Sequence, residues 1–512
     1  MATVGRNIIA NFAGRAWVML MGFAFVPIYL HLLGIEAYGL IGFFLTLQSV
    51  LGFMDLGLSL TLNRELARAS SRPDEGPRMA SLLRTMEVAY WVMSVAVGLL
   101  VIAVAPWIAK NWVNAATLSG DAVESAIRMM GVVIALQAPF ALYQGGLTGL
   151  QQQVSVNLIL AVAATLRAAG AGLVLWLLSR TVEAYFAWQV IVSGVATGLC
   201  AWALWRLIPG GSRRARFDLS LMRGLWRFAL AVSANAIVGI SLTQLDKLIL
   251  SKLLTLEQFG YYVLAALVAS FLWAIILPIN TALFPRFVQL HEQRDETGLV
   301  ALYHKACQFM AAALLPVAMI LTLFSHELLV LWTRDEAIAR NAALLVTLLA
   351  FGTTINGVTS VAGYLQSAAG WPGLILYTNT TLAVLLVPAL LVAVPRFGPV
   401  GAAAVWIAIN CTYLVVTVPI MHRRLLRGNL ARWYVADLIL PSVAVTAIGV
   451  PMRVLMPIGW SPPAQFVFLV CAWATAVLAV LLVAPEIRRA LTTLVLGLLG
   501  KTVAAYRVRM SG

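Results

Sequence analysis

Charge is scarce in this chain of 512 residues: Asp, Glu, Lys and Arg make up 11% of it, where soluble domains carry about 25%. Acidic residues are the rarer kind, 20 against 35 basic ones. Cysteine is nearly absent. The four present (Cys200, Cys307, Cys411, Cys471) lie in or beside apolar stretches and none has a CxxC partner, so no disulfide, zinc or redox framework is indicated. They read as small buried apolar side chains. Enzyme signatures are missing too. Gly500-Lys501-Thr502 ends like a phosphate-binding loop, but Val495 stands where that motif needs glycine. His326-Glu327 begins a zinc-protease pattern that Val330 breaks. No apolar run combines paired carboxylates with a histidine. The chain is therefore read as a non-enzyme, with no catalytic residue, cofactor or metal assigned.

What is abundant is hydrophobicity: 62% of the residues, with a mean hydropathy of +0.92. A single anchor cannot produce that value over such a length, so most of the chain must face lipid or other buried helices. The formal charge of +15 is compatible with nucleic-acid binding. The basic residues fall between apolar runs, however, as the Lys/Arg bias of cytoplasmic loops requires. About twenty apolar residues cross the hydrocarbon core as a helix. On that basis fourteen spans are expected, at 8–32, 38–62, 86–108, 126–148, 154–178, 184–206, 224–252, 259–283, 303–324, 340–366, 373–394, 399–421, 434–456 and 465–484. The first apolar run is too long for the core of a signal peptide and is read as the first membrane helix.

Placing the N-terminus inside puts Arg64, Arg68, Arg72, Arg78 and Arg84 in the cytoplasm, with Arg206, Arg213, Arg214, Arg216, Arg223 and Arg227, and with Arg423, Arg424, Arg427 and Arg432. About 24 of the 35 basic residues then lie inside, so both termini are expected to be cytoplasmic. Beyond the last span, Ile487, Leu491, Leu494 and Leu498 share a helical face beside Arg488, Arg489 and Lys501, the pattern of an interfacial helix on an anionic leaflet.

The chain also repeats. Residues 33–39 (LGIEAYG) resemble residues 254–260 (LTLEQFG) at an offset of about 221, Asn63-Arg64 matches Pro285-Arg286, and Thr148-Gly149 matches Ala369-Gly370. Two parallel six-helix bundles are expected. The domains read as an N-lobe at 1–208, a basic linker at 209–223, a C-lobe at 224–425, two further helices at 426–485 and an amphipathic tail at 486–512.

Several motifs resemble a known family. Pro27-Ile28-Tyr29-Leu30 with Leu33-Gly34 and Tyr38-Gly39-Leu40, Asp55-Leu56-Gly57-Leu58 with Asn63-Arg64, Asp246-Lys247-Leu248-Ile249-Leu250 with Phe259-Gly260-Tyr261-Tyr262, and Gly398-Pro399-Val400-Gly401-Ala402-Ala403 are similar to the Wzx-type O-antigen and polysaccharide flippases. These belong to the multidrug/oligosaccharidyl-lipid/polysaccharide exporter superfamily. The resemblance covers about residues 5–425. It implies an all-α polytopic membrane protein of about 14 transmembrane helices, with two six-helix lobes in a V around a cavity lined by helices one, two, seven and eight, plus two C-terminal helices. It also implies alternating access in a bacterial inner membrane, a polyprenyl-diphosphate-linked oligosaccharide as substrate, and polysaccharide polymerase machinery as a candidate partner.

A basic side chain at mid-membrane costs about 2.5–3.5 kcal/mol and generally faces a bundle interior or a wet cavity. Arg15, Arg167 and Lys247 are thus candidates for receiving a diphosphate, which guanidinium groups bind bidentately. Arg64 and Arg286, at matching inner ends of spans two and eight, are candidates for the rim that first meets it. The alternatives are internal ion pairs, snorkelling, and for the rim the ordinary bias of inner loops. Asp55 and Asp246 are candidates for structural, gating or ion-coupling carboxylates. Pro27, like Pro278 and Pro285, marks a possible hinge. Two rival functions remain: a cation-coupled multidrug antiporter, which would more naturally carry acidic cavity residues, and a membrane polysaccharide polymerase or ligase, which needs catalytic residues and commonly a sizeable external loop.

Overall fold

Apolar runs of about twenty residues cross lipid as helices, because a helix satisfies every backbone polar group within its own segment. The structure, a computed structural model, describes residues 2–55, 57–70, 75–208, 215–218, 220, 244–456 and 459–489. Among them every regular element is a helix. Eleven helices are long and apolar enough to cross a membrane, and Ile35–Leu51 is a shorter apolar one. One of the eleven, Gly373–Leu425, covers two expected spans, because its backbone reverses at Gly398 (φ 57°, ψ −144°) between Pro395 and Pro399. Of the expected seventh span, residues 244–253 are described as helix. The remainder of that span, most of the linker and the amphipathic tail beyond residue 489 lie outside the described residues.

Two expectations change. Span two is not one helix over 38–62 but Ile35–Leu51, a tight turn at Gly52–Asp55, and Leu58–Ala69. Gly57 between them takes a left-handed backbone (φ 66°) that side chains disfavour. Pro278 and Pro285 sit inside the helix Trp273–Glu292. The interruption of span eight falls earlier, at Phe271–Leu272, where bonds tighten to residues three apart. Between spans nine and ten the chain forms a further short helix, Ser325–Thr333. Pro27 lies in the first turn of Val26–Leu33, after a break from Ala2–Ala24. Several helices outrun the hydrocarbon core. Gly76–Asn111 has 36 residues, or about 54 Å at 1.5 Å each, and its first turns carry Arg78, Arg84 and Glu87.

The described residues form two compact units, Met1–Gly260 and Tyr261–Gly512. In the first unit, span one is zipped to span five by polar contacts: Asn157 Nδ2 donates to Asn11 Oδ1 at 2.6 Å and Trp17 Nε1 to Thr165 Oγ1 at 2.9 Å. Interhelical bonds of this kind hold membrane helices together where the hydrophobic effect does not act. The segment after span three ties helix ends together at one end of the unit. Buried Glu36 accepts the Ala116 and Thr117 N–H groups at 2.5 and 2.8 Å and also takes the Thr117 hydroxyl. The Asn114 carbonyl accepts the Leu256 N–H at 2.8 Å, and Trp112 Nε1 donates to Ser251 Oγ at 3.0 Å.

Beside this strap Gly39 and Gly260 cross. A methyl group on Gly39 would lie 2.2 Å from the Leu256 carbonyl oxygen, and one on Gly260 would lie 2.4 Å from the Ile35 oxygen. Each glycine meets the residue four before the other, so the contact is reciprocal, and the four residues are related pairwise by the 221-residue offset seen in the sequence.

At the far end of span three, the linker's Arg216 and Asp218 N–H groups donate to Ser81 Oγ (3.3 Å) and Thr85 Oγ1 (3.0 Å). In the second unit Asn280 donates to Ser360 (2.7 Å), Asn356 to Asn410 (2.8 Å) and Trp406 to Thr353 (3.3 Å), joining spans eight, ten and twelve.

Candidate functional site

Arg167 stands where the winding of span five widens. After the α-helix Gln153–Thr165, residues Leu166–Gly170 form a π turn before Ala171–Leu177 resumes. Such turns occur often at functional sites. Three carbonyls of this stretch turn outward and accept from side chains of spans one and six. Trp188 Nε1 donates to the Leu166 oxygen (2.7 Å), Gln189 Nε2 to that of Arg167 (3.3 Å) and the Tyr29 hydroxyl to that of Ala168 (2.8 Å). Trp188 lies against Gly170, where any added side chain would meet its ring at 2.5 Å. The backbone carrying the arginine is thus fully pinned.

The guanidinium itself is half-buried, with Ser193 Oγ 3.3 Å from Nη2 and the buried Tyr185 within electrostatic reach. No acidic side chain among the described residues pairs with it. Tyr29 and Tyr185 stack edge to face with centroids 5.4 Å apart. Among the described residues one neutral hydrogen bond is made, which leaves most guanidinium donors unused by them. What is built here is a positioned cation beside the hydroxyls of Ser193 and Tyr185, suited to an anion with several oxygen acceptors.

Each of the other sequence candidates has its own local setting. Arg15 is exposed on the helix Ala2–Ala24, beside Gly14, which is buried against Asn157. Arg64 is exposed and bonded to its neighbour Glu65 at 2.8 Å. Arg286 is exposed and reaches Gln289 at 3.1 Å. Lys247 and Asp246 are half-buried on residues 244–253, and Lys247 Nζ lies 3.5 Å from Gln244 Oε1.

Asp55 has a definite local task. Its Oδ1 accepts the Ser59 N–H (3.2 Å), the Ser59 hydroxyl and the Tyr90 hydroxyl (2.7 Å). It therefore caps Leu58–Ala69 and ties the break in span two to span three. Asp55→Ala is expected to lower stability by about 1.5–3 kcal/mol, the worth of a hydrogen bond to a charged group. Tyr90→Phe in that background should cost little more. A differential melt of the purified variants checks both, and an unchanged melting temperature with altered transport would indicate gating instead.

Two networks were not anticipated from sequence. Near Asp55, Glu87 accepts from Tyr143 (2.6 Å), Trp205 (3.1 Å) and Arg84 (2.7 Å), and Arg84 lies over the Trp205 ring at 4.9 Å. In the second unit, His304 and Asp437 pair with both side chains essentially inaccessible. Only Asp437 is a lone ionisable residue in an apolar run, the signal that marks such a site; His304 stands beside Lys305, and Glu87 three residues after Arg84. Among the described residues no group of three metal-ligating side chains occurs.

Comparison with known proteins agrees with this architecture. Residues 4–291, more than half the chain, match the family model described as polysaccharide biosynthesis protein, and residues 233–392 match that of MatE. A putative O-antigen transporter of Shigella flexneri is 22% identical over 418 residues, covering 78% of this chain and 93% of the relative. Among solved structures, the lipid II flippase MurJ in an inward closed conformation superposes with a TM-score of 0.70 at 12% identity, covering 95% of this chain and 99% of MurJ. An inward-facing multidrug resistance MATE family transporter of the MOP superfamily gives 0.65 at 15% identity, covering 81% and 96%. Together with the Wzx-like motifs, the family match identifies the chain as a multi-pass membrane protein of the polysaccharide biosynthesis family within the MOP superfamily.

Proposed function

We propose that the protein carries an anionic, lipid-linked oligosaccharide from the inner to the outer leaflet of the plasma membrane, with both termini cytoplasmic. The observation that carries this reading is Arg167: a permanent cation deep in a span, on a backbone fixed by three side-chain donors, with no acidic partner among the described residues. The names of the Shigella relative and of MurJ support a lipid-linked glycan as cargo. In this mechanism the diphosphate takes the unused guanidinium donors while the prenyl tail stays in lipid, and alternating access exposes the headgroup to the other side. Arg64 and Arg286 act as the rim that first meets the headgroup, and Arg15 and Lys247 as further cationic contacts along its course. Pro27 serves as a hinge, and Asp246 as a gating or coupling carboxylate.

An inside-negative potential favours outward movement of anions by roughly 2.3 kcal/mol per charge per 100 mV, so a diphosphate can be driven without a nucleotide. The antiporter reading draws on the MatE match, but the span-embedded charge at this site is basic, which disfavours a cationic drug.

The test is reconstitution of this protein alone into vesicles holding a fluorescent polyprenyl-diphosphate glycan, with outer-leaflet exposure read by a lectin or a quencher. Turnover that rises with an imposed inside-negative potential is the expected result. Turnover absent at every potential, or transport of organic cations instead, would discard the proposal.

A further inference from the structure

The cluster around His304 takes no part in the transport reading above. His304 lies in Glu296–Leu323 and is 0% exposed; Asp437 lies in the π turn Trp433–Ile439 and is 2% exposed. The imidazole Nδ1 meets Asp437 Oδ2 in a short contact, and Nε2 faces Asn429 Oδ1 at 3.4 Å. Both neighbouring amides are oriented by partners outside the pair. Asn429 gives its Nδ2 to the Arg427 carbonyl at 3.2 Å, which turns its oxygen towards the ring. Gln308 Oε1 accepts the Glu486 backbone N–H at 2.8 Å, so its Nε2 donates to Asp437 Oδ1, also at 2.8 Å.

Both ring nitrogens therefore point at oxygens, and each contact needs a proton of its own. A neutral imidazole beside an ionised carboxylate supplies one. The hydrogen-bond pattern calls for two, the second resting on Nδ1 or on Oδ2, so that the titration belongs to the pair.

We propose that His304 and Asp437 form a proton-binding site, held here in its loaded state, which exchanges its proton with the solvent beside Arg423, Arg424 and Arg427 when the Asn429 side chain moves off Nε2. Asn429 is half-buried and, among the described residues, is the one side chain bonded to Nε2. On the topology of the transport reading, on which this assignment of sides rests, that solvent is the cytoplasm. The groups facing the pair are Tyr303 and Cys307 from its own helix, His422 from Val418–Leu425, and Trp433 and Tyr434 from the π turn. Glu486 stands beyond Gln308 and is engaged by Arg432 at 2.8 Å and Arg489 at 3.2 Å.

The network joins span nine to span thirteen directly and to the end of span fourteen through Gln308. Loss of the proton leaves two lone pairs opposed at Nε2 and Asn429 Oδ1, which releases the short segment joining spans twelve and thirteen. Transport then depends on pH at that face, through a bistable contact of the kind His-based switches use.

The test is nitrogen NMR of full-length protein, labelled at its histidines and held in lipid bilayers. The chain has five histidines, and His304→Gln assigns the signal. Two exchangeable protons shared among Nε2, Nδ1 and Asp437, one lost as pH rises, are expected. Asp437→Asn should weaken proton affinity by about tenfold or more, as removal of an adjacent opposite charge does. A His304 ring that keeps one N–H unchanged across roughly pH 5–8, where histidine titrates, overturns the site. In the vesicle assay, turnover should vary several-fold with pH on the face bearing Asn429 and track the NMR titration, while His304→Gln is flat. Turnover insensitive to pH while the ring titrates overturns the link to transport. If wild-type vesicles show no glycan turnover, the transport reading falls, and the NMR result still decides whether the proton site exists.

Discussion

Replacing Arg167 with alanine is expected to cut glycan turnover in vesicles by about 10- to 150-fold, corresponding to about 1.5–3 kcal/mol for a lost charged hydrogen bond. Among the described residues the guanidinium has one hydrogen bond, to Ser193 at 3.3 Å. Its carbonyl bond to Gln189 belongs to the backbone and survives the change. Removing a mid-span cation also removes the cost of burying it, so the melting temperature should hold or rise while transport falls. Arg167→Lys keeps the charge but loses the planar fork and should recover a part of the rate. A fall in transport that merely follows a fall in melting temperature would reassign Arg167 to a structural role, and turnover within twofold of wild type would remove it from the substrate path.

The second large effect concerns the crossing of Gly39 and Gly260. Gly39→Val would place side-chain carbon where the Leu256 oxygen now is, 2.2 Å from the first added atom. The obstacle is backbone and cannot rotate away. Overpacking in a tight contact costs about 1–3 kcal/mol or more, and a drop of at least that size in unfolding free energy is expected, with poor recovery of folded protein. Gly39→Ala and Gly260→Ala should each destabilise less. The double variant should fall short of their sum, because once the helices have moved apart for one methyl group, the second enters at reduced cost. A double-mutant cycle with a coupling of about 0.5–3 kcal/mol checks this. Strict additivity would mean that the two glycines do not share one contact.

The membrane class was readable from sequence because apolar runs and basic loops are local and need no partner to be seen. Arg167 was readable as a cation out of place. Its setting was not, since Tyr29, Trp188, Gln189 and Ser193 come from two other spans and are unremarkable in their own segments. Glu36 passed as an ordinary residue near a span end, although it is buried and holds Ala116 and Thr117, 80 and 81 residues away. His304 and Asp437 are 133 residues apart, so only folding reveals them as a pair. Asp55 was read inside a continuous span because hydropathy averages over the break at Gly52–Asp55. The left-handed Gly57 that follows was the available clue, and glycine is too frequent in membrane helices for it to speak alone.

The π turn at Leu166–Gly170 has a consequence for how this chain is aligned with others. A π turn amounts to one extra residue in the winding, so everything beyond it is rotated by about 100° relative to an uninterrupted α-helix. Ala171–Leu177 therefore shows its neighbours a face that periodicity counted from Gln153 assigns wrongly. A relative whose helix lacks the bulge needs a one-residue gap near Arg167 before its side chains can be compared with those on the far half of this helix.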